Sequence, residues 1–315
     1  MNNKIIVIGD GAVGSSYAFA LVTQNIGHEI SIIDVNRDKA EVDAIDLSDA
    51  LAYTAPKRIY AATYVDVPYT DLVVITAGKA QKPGETRLDL VHRNMIIMKD
   101  IIELIKKTEF DGILLIASNP VDIMTYAAMK FSNLPHQRVI DSGTSLDSAR
   151  FRQAIGHHIG VDPRNVYGYI LGEHGDTEFP VWSHPNVGEL SIFEWTKNHP
   201  SMDDEALHNL FFKVKDAAKI IIDKKGAAFY GIAAALARIT KAIFNDEHSI
   251  LPLSCYLQGE YGQSDIYLGV PAIINRNGIV SVIEMEINES EQNKMDLSAK
   301  TLRSIQEDAL ERITQ

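Results

Sequence analysis

The sequence predicts an α/β fold, a doubly wound parallel sheet followed by a second, α+β lobe, and three observations predict it. Short, almost unbroken apolar runs recur through the first half, segments of helical length separate them, and the texture changes after about Ser142. Runs of that kind are what strands buried on both faces require. Parallel neighbours also need a crossover, which a helix packed back on the sheet supplies in the right-handed sense.

The elements follow in chain order. IIVIG is the first strand, and a helix is expected from Val13 to about Asn25. EISIIDV is the second strand, with a helix through Asp49, and LVVITAG, ILLIASN and RVIDSG are further strands of the sheet. The stretch from Ala77 to Asn94 follows LVVITAG, carries Pro83 and Gly84 among polar residues, and precedes a helix, so it reads as a lid. A first domain over 1–142 and a second over 143–315 are expected. In the second, a helix covers DSARFRQAIGHHIG and a strand covers NVYGYILG, before helices from about Asp203 to Lys224 and Ala227 to Phe244. Strands in ILPLSCYLQ, DIYLGVPAIINRNGIV and SVIEMEI come next, with a turn at NRNG, and a closing helix starts at Glu289. With no repeat and no low-complexity linker, the two lobes are expected to pack closely.

Composition narrows the function classes. The 315 residues carry a formal charge of -12, which disfavours nucleic acid as the main partner. A single cysteine, Cys255, leaves no intrachain disulfide framework and no Cys-rich zinc site. Met1 leads directly into the first strand without a cleavable signal pattern, and no apolar run reaches membrane-spanning length, so a cytoplasmic protein with no membrane partner is expected.

Gly9-Asp10-Gly11-Ala12-Val13-Gly14 fits G-x-G-x-x-G between a strand and a helix. Gly9 serves a tight turn, Gly11 lets backbone approach a pyrophosphate, and Gly14 lets the helix that Val13 opens lie close to the sheet. Asp34 ends the second strand, where a carboxylate accepts from ribose hydroxyls and repels a 2′-phosphate, so NAD is expected over NADP. A plain glycine turn and a plain turn aspartate are the competing readings.

LDSAR, Leu146 to Arg150, and LGEHGD, Leu171 to Asp176, carry an acid, an arginine and a histidine. His174 titrates near neutrality, a nearby carboxylate would raise its pKa, and Arg150 offers a planar fork for a carboxylate. Taken singly, His174 also reads as a turn residue, Arg150 as a helix-surface charge, and Asp147 as a cap for a helix starting near Ser148. GEHGD is not a zinc motif, because no second histidine follows one helical turn away, and no metal is expected.

The chain resembles the lactate and malate dehydrogenase family, its bacterial L-lactate members above all. The motifs are IIVIGDGAVGSSYAFAL, QKPGETRLDLV, ASNPVDI, SGTSLDSARFR, GEHGDTE, YGIAAALARI and DIYLGVPAIINRNGI, in one order along nearly the whole chain. The resemblance implies that His174 exchanges the proton, Asp147 orients it, Arg150 clamps the substrate carboxylate, and Arg87 swings in on the lid to polarise the carbonyl. It puts Asn119 near the reacting oxygen and the nicotinamide, and Ile232 against the nicotinamide, where a helix-core role is an equal reading. Gln81 falls beside the substrate's C3 substituent. A neutral amide there offers no counter-ion to a second carboxylate, so pyruvate is expected over oxaloacetate. A homotetramer is implied, without the N-terminal arm of vertebrate relatives.

Three departures stand out. Ala228 replaces a threonine that usually fills the substrate pocket, which leaves a 2-hydroxyisocaproate type of dehydrogenase open as an alternative. Arg152 matches the arginine that grips fructose 1,6-bisphosphate in activated relatives, but Tyr167 stands where their histidine is, so activation is expected to be weak or absent. Asp141 replaces the glycine usual before SGT. It reads either as a carboxylate near the nicotinamide end of the site or as a harmless strand-end substitution. A non-catalytic NAD-binding regulator is the reading from another class, and it would be expected to have lost His174, Asp147 or Arg87; all three are present.

Overall fold

The structure is a computed structural model that describes residues 3–80, 84, 86–198 and 204–314. Six parallel strands form its spine: β1 (Lys4–Ile8), β2 (Glu29–Ile33), β3 (Arg58–Ala61), β4 (Leu72–Ile75), β5 (Ile113–Ile116) and β6 (Val139–Asp141). They lie in the order β3-β2-β1-β4-β5-β6, so the chain winds outward in both directions from β1. Among the crossovers are α1 (Ala12–Thr23), α2 (Arg37–Asp49), α3 (Arg87–Lys106) and α4 (Val121–Ser132). Every residue of β4 and β5 is buried, as the unbroken runs predicted, and each such Ile, Leu or Val contributes about 1.5–3 kcal/mol by leaving water.

β3 was not foreseen. RIYA is a half-exposed edge strand without a continuous apolar run, so hydrophobic patterning alone does not mark it.

The second half contains α5 (Ser145–Ile159), β7 (Val166–Tyr167), β8 (Ile170–Leu171), β9 (Phe179–Pro180), β10 (Asn186–Val187), β11 (Leu190–Ser191) and α6 (Ile192–Asn198). After these come α7 (Asp204–Lys225), α8 (Tyr230–Phe244), β12 (Ser249–Gln258), β13 (Ser264–Asn275), β14 (Gly278–Val282) and α9 (Glu289–Thr314). The expected strand NVYGYILG is two short strands with different partners, β7 beside β10 and β8 beside β9. SVIEMEI contributes only Ser281 and Val282 to β14, and the helix expected from Ala227 starts at Tyr230. α5 begins at Ser145, so Asp147 lies inside the first turn and is not its cap.

The sheet crosses the expected boundary between the halves. β12 pairs antiparallel with β6 at Ser254 and Asp141, and β13 and β14 extend the sheet to nine strands among the described residues. One core therefore joins β1 to β6 with α8, β12, β13 and α9, while Phe151, Ile155, Val166, Leu207 and Val214 form a smaller core under α5 and α7. Tyr17 of α1, fully buried, ties the halves through a 2.6 Å hydrogen bond to Thr240 of α8.

Candidate active site

The glycine turn sits at the carboxyl end of β1. Gly9 has φ +106°, and a Cβ there would fall 2.5 Å from the Ala77 nitrogen. At Gly14 a Cβ would fall 2.0 Å from the Gly9 carbonyl oxygen, so α1 touches the turn as closely as backbone allows. A Cβ at Gly11 would meet no described atom within 4 Å, and no side chain caps α1. Val13, half-buried, anchors the first turn against the main core. The result is an open, uncapped helix N-terminus on which a pyrophosphate can lie against backbone N–H groups.

Asp34, one residue past β2, accepts from Asp10 N at 2.7 Å with Oδ2 and from Asn36 N at 2.8 Å with Oδ1. Those bonds fix its carboxylate at the rim of the turn. The open face at Gly11 and the anchored carboxylate at Asp34 fit a dinucleotide with free ribose hydroxyls. Asp10, within the motif, is buried with the Lys39 ammonium 2.9 Å away, and burial raises its carboxyl to about 6.

The second group of residues gathers around α5 and the loop after β8. His174 Nδ1 lies 2.6 Å from Asp147 Oδ2, and Arg150 Nη1 donates to Asp147 Oδ1 at 3.0 Å, so one buried carboxylate serves two cations. Asp147 drives His174 up to about 10 against the opposing effect of burial. Burial works against Asp147 itself, but the imidazole and Arg150 hold its carboxyl below the ordinary range. The imidazole remains 30% exposed, and its engaged Nδ1 leaves Nε2 as the nitrogen for a reacting oxygen.

Backbone contacts aim the histidine. The Gly172 and Gly269 amides exchange hydrogen bonds of 3.0 and 2.9 Å, which pins the loop to β13. His174 N donates to Asp122 Oδ2 at 2.9 Å, and Ser298 Oγ of α9 accepts from Glu173 N at 2.6 Å. Asp122 is buried, is raised by that burial to about 6, and also accepts from Ser254 Oγ. ASNPVDI carried Asp122 in plain view, yet its service to a loop 52 positions away was not legible.

Asn119 is exposed at the carboxyl end of β5, and its carbonyl accepts from Asn94 Nδ2 at 2.8 Å. Asn94 also exchanges bonds of 2.9 and 3.1 Å with the Lys79 backbone, so α3 ties the start of the expected lid to the Asn119 loop. Arg87 is the first residue of α3, where Thr86 and Asp89 form a reciprocal cap; its side chain and all of Gln81 lie outside the described residues. Ala228 and Ile232 lie half-buried before and at the start of α8. That helix reaches α5 at Gly231, where a Cβ would meet Leu146 at 2.8 Å.

Asp141 is the last residue of β6, at the strand end that one of its two readings assumed. Its side chain is fully buried at the end of β6, accepts from Gly143 N, and is raised by burial and by the neighbouring Asp122. Its Oδ2 has no hydrogen-bond partner among the described residues. Tyr167 is 58% exposed on β7, and Arg152 on α5 shares with it the neighbourhood of Tyr169.

The sequence matches the model of the lactate/malate dehydrogenase NAD binding domain over residues 3–141 and that of the alpha/beta C-terminal domain over 144–313. L-lactate dehydrogenase 1 of Enterococcus faecalis is 65% identical over 308 residues, covering 98% of this chain and 94% of the relative. L-lactate dehydrogenase 1 of Listeria monocytogenes is 59% identical, covering 99% of both. Among solved structures, the ligand-bound minor L-lactate dehydrogenase of Enterococcus mundtii superposes with a TM-score of 0.95 at 44% identity, covering 97% of this chain and 98% of that one. A lactate dehydrogenase from a deep-sea metagenome library gives 0.96 at 46% identity, covering 98% and 99%. With both halves matched in order and relatives this similar along the whole length, the chain belongs to the lactate/malate dehydrogenase family.

Proposed function

We propose that the protein is an NAD-dependent L-lactate dehydrogenase that interconverts pyruvate and L-lactate and so reoxidises NADH in fermentation. The observation that carries this reading is the arrangement of His174, Asp147 and Arg150, one carboxylate holding an imidazolium and a guanidinium at the end of the same sheet that bears the glycine turn. When bound, the nicotinamide supplies the hydride for C2 of the 2-oxo acid. Arg150 turns its fork to the substrate carboxylate, and His174 delivers the proton from Nε2 to the carbonyl oxygen, where negative charge develops. Asp147 keeps the ring's Nδ1 protonated and its plane fixed throughout. In the reverse direction neutral His174 takes the hydroxyl proton.

The remaining roles rest on the family pattern. Arg87 polarises the carbonyl from the lid, Asn119 bonds near the reacting oxygen and the nicotinamide, and Ile232 packs against that ring. Gln81, offering no positive charge, favours a monocarboxylate, while Ala228 leaves space for a larger C3 substituent. Gly9, Gly11, Val13, Gly14 and Asp34 hold the dinucleotide. The cofactor half is 1–142 and the substrate half 143–315.

A homotetramer is supported by large exposed apolar side chains, Phe19, Val42, Ile45 and Tyr53 on and around α1 and α2 and Tyr230 at the start of α8. No described helix is long and apolar enough to cross a membrane, and the single cysteine suits the cytoplasm. Tyr167, uncharged beside Arg152, makes fructose 1,6-bisphosphate a weak activator or none.

The test is NADH oxidation with 2-oxo acids graded in size and charge, with the sugar phosphate added or omitted. Pyruvate turnover well above oxaloacetate, little changed by the sugar phosphate, is expected. Faster turnover of 2-oxoisocaproate than of pyruvate would move the assignment to the larger substrate, and no turnover of any acid would leave a cofactor-binding protein.

A further inference from the structure

Glu178 closes the GEHGDTE run, and none of the roles above uses it. It is 7% exposed, and its carboxyl, the Asp147 carboxyl and the His174 ring each offer an atom within 4.8 Å of the others. Burial first, and then the Asp147 charge, push it up to about 8, while the charges of His174, Lys215 and Arg150 draw it down. Of these cations Lys215 alone comes from α7, and its ammonium donates to the Asp176 carbonyl at 2.7 Å, two residues past the histidine.

The histidine loop is thus held from two sides. On the inner side Gly269 of β13, Ser298 of α9 and Asp122 of α4 accept from the amides of Gly172, Glu173 and His174. On the outer side Lys215 holds the Asp176 carbonyl.

Packing does not make that outer connection. α7 buries Leu207, Leu210 and Val214 in the smaller core, but from Lys215 to its end at Lys225 none of its side chains is buried. A cavity of about 730 Å³ opens between α7 and α5, lined by Arg150, Gln153 and His157 on one side and by Lys213, Val214 and Ala217 on the other. Dispersion contact is lost across such a gap, so packing does not fix how far the second half of α7 stands from Arg150. Lys215 follows Val214 by about 100° around the helix, which turns it out of the cavity wall and towards the loop. Beyond Lys225, Gly226 with φ +90° turns the chain towards Ala228.

We propose that Lys215 is a positioning residue of the substrate site, whose grip on the Asp176 carbonyl fixes the second half of α7 to the histidine loop and sets the width of the site between Arg150 and Ala228. The proposal rests on the dehydrogenase reading and adds to it a specificity residue that acts through the wall of the site. With the tie in place the wall closes on a small group at C2. Without it the wall recedes, and the methyl group of pyruvate loses contacts that the isobutyl group of 2-oxoisocaproate keeps.

Two measurements test this. In steady-state assays with NADH, Lys215→Met raises the KM for pyruvate about fivefold, the typical worth of one hydrogen bond, with a smaller rise for 2-oxoisocaproate and kcat within about twofold. Lys215→Arg, which keeps a cation with N–H donors, restores the KM. An unchanged pyruvate KM in Lys215→Met, an equal rise for both acids, or a loss that Lys215→Arg does not restore would overturn the proposal.

Amide hydrogen exchange of the NADH-loaded enzyme, read by peptide mass spectrometry, follows the tie without turnover. Peptides from 215–225 exchange about fivefold faster in Lys215→Met than in the unaltered enzyme, while those of β1 to β6 exchange alike. Equal exchange over 215–225 overturns the tie whatever the kinetics do. An enzyme that turns pyruvate over with these features absent loses only the positioning role of Lys215. One that turns over no 2-oxo acid loses the dehydrogenase reading, and the exchange of 215–225 still decides whether Lys215 holds α7.

Discussion

Asp147→Asn removes one charge from the centre of the site with almost no change of shape. In the unaltered protein the Nδ1 to Oδ2 distance is 2.6 Å, which puts the two charge centres about 4 Å apart. At an effective dielectric constant of about 20, that pair is worth about 4 kcal/mol, or about three pKa units. The rise of His174 from 6.5 to about 10 is of that size. With Asn in place the ring falls back to about 6.5, and only about a quarter of it is imidazolium at pH 7. Protonation alone then costs about fourfold in pyruvate reduction. The amide also accepts from the ring without stabilising its positive form and permits the wrong tautomer, so the total loss in kcat/KM is expected at about 10²–10⁴-fold. The assay is NADH oxidation from acid to alkaline pH with pyruvate varied at each point. The variant's activity should fall off about three pH units earlier than that of the unaltered enzyme. A profile that overlays the unaltered enzyme would refute the electrostatic role of Asp147.

Asp34→Ser removes the carboxylate that the Asp10 and Asn36 amides hold at the rim of the turn, and it should raise kcat/KM with NADPH relative to NADH by at least about tenfold. Equal use of both cofactors before the change would show that Asp34 does not discriminate. Gly14→Ala would force a Cβ to within 2.0 Å of the Gly9 carbonyl oxygen, so a loss of about 2–4 kcal/mol in denaturant unfolding is expected. A variant as stable as the parent would mean that α1 shifts freely. Asp141→Asn relieves a buried carboxyl whose folded-state pKa lies well above 3.8. The folded state resists that ionisation, so its penalty is absent in acid and grows as pH rises above the unfolded value; the variant's gain in Tm should therefore grow from acid towards pH 8. A gain that shrinks with rising pH would reverse the assignment.

The parallel strands were legible because burial on both faces leaves a continuous apolar run, and the glycine turn because backbone contact at Gly9 and Gly14 admits no side chain. His174, Asp147 and Arg150 were legible as residue types that suit a small organic acid, while their convergence was suggested only by the family resemblance. The joining of β12 to β6 was not legible. It rests on Ser254 meeting Asp141 across 113 positions, and no local periodicity encodes that pairing.

The missed residues share one cause. Asp122 and Glu178 lay inside motifs quoted for the family and Asn94 ended the expected lid stretch, but each acts through a partner far away in the chain or through the shape of a pocket. Asp122 looks like a helix-start aspartate until the His174 amide is found on it, and Asn94 looks like a helix-surface amide until it joins Lys79 to Asn119. Glu178 looks like a solvated loop acid in sequence. Burial beside Asp147 changes that, because a carboxyl taken out of water next to another carboxylate resists ionising. The identity of these side chains was always visible, but the dielectric around them was not, and it is the dielectric that decides which carboxyls of this site are charged when substrate arrives.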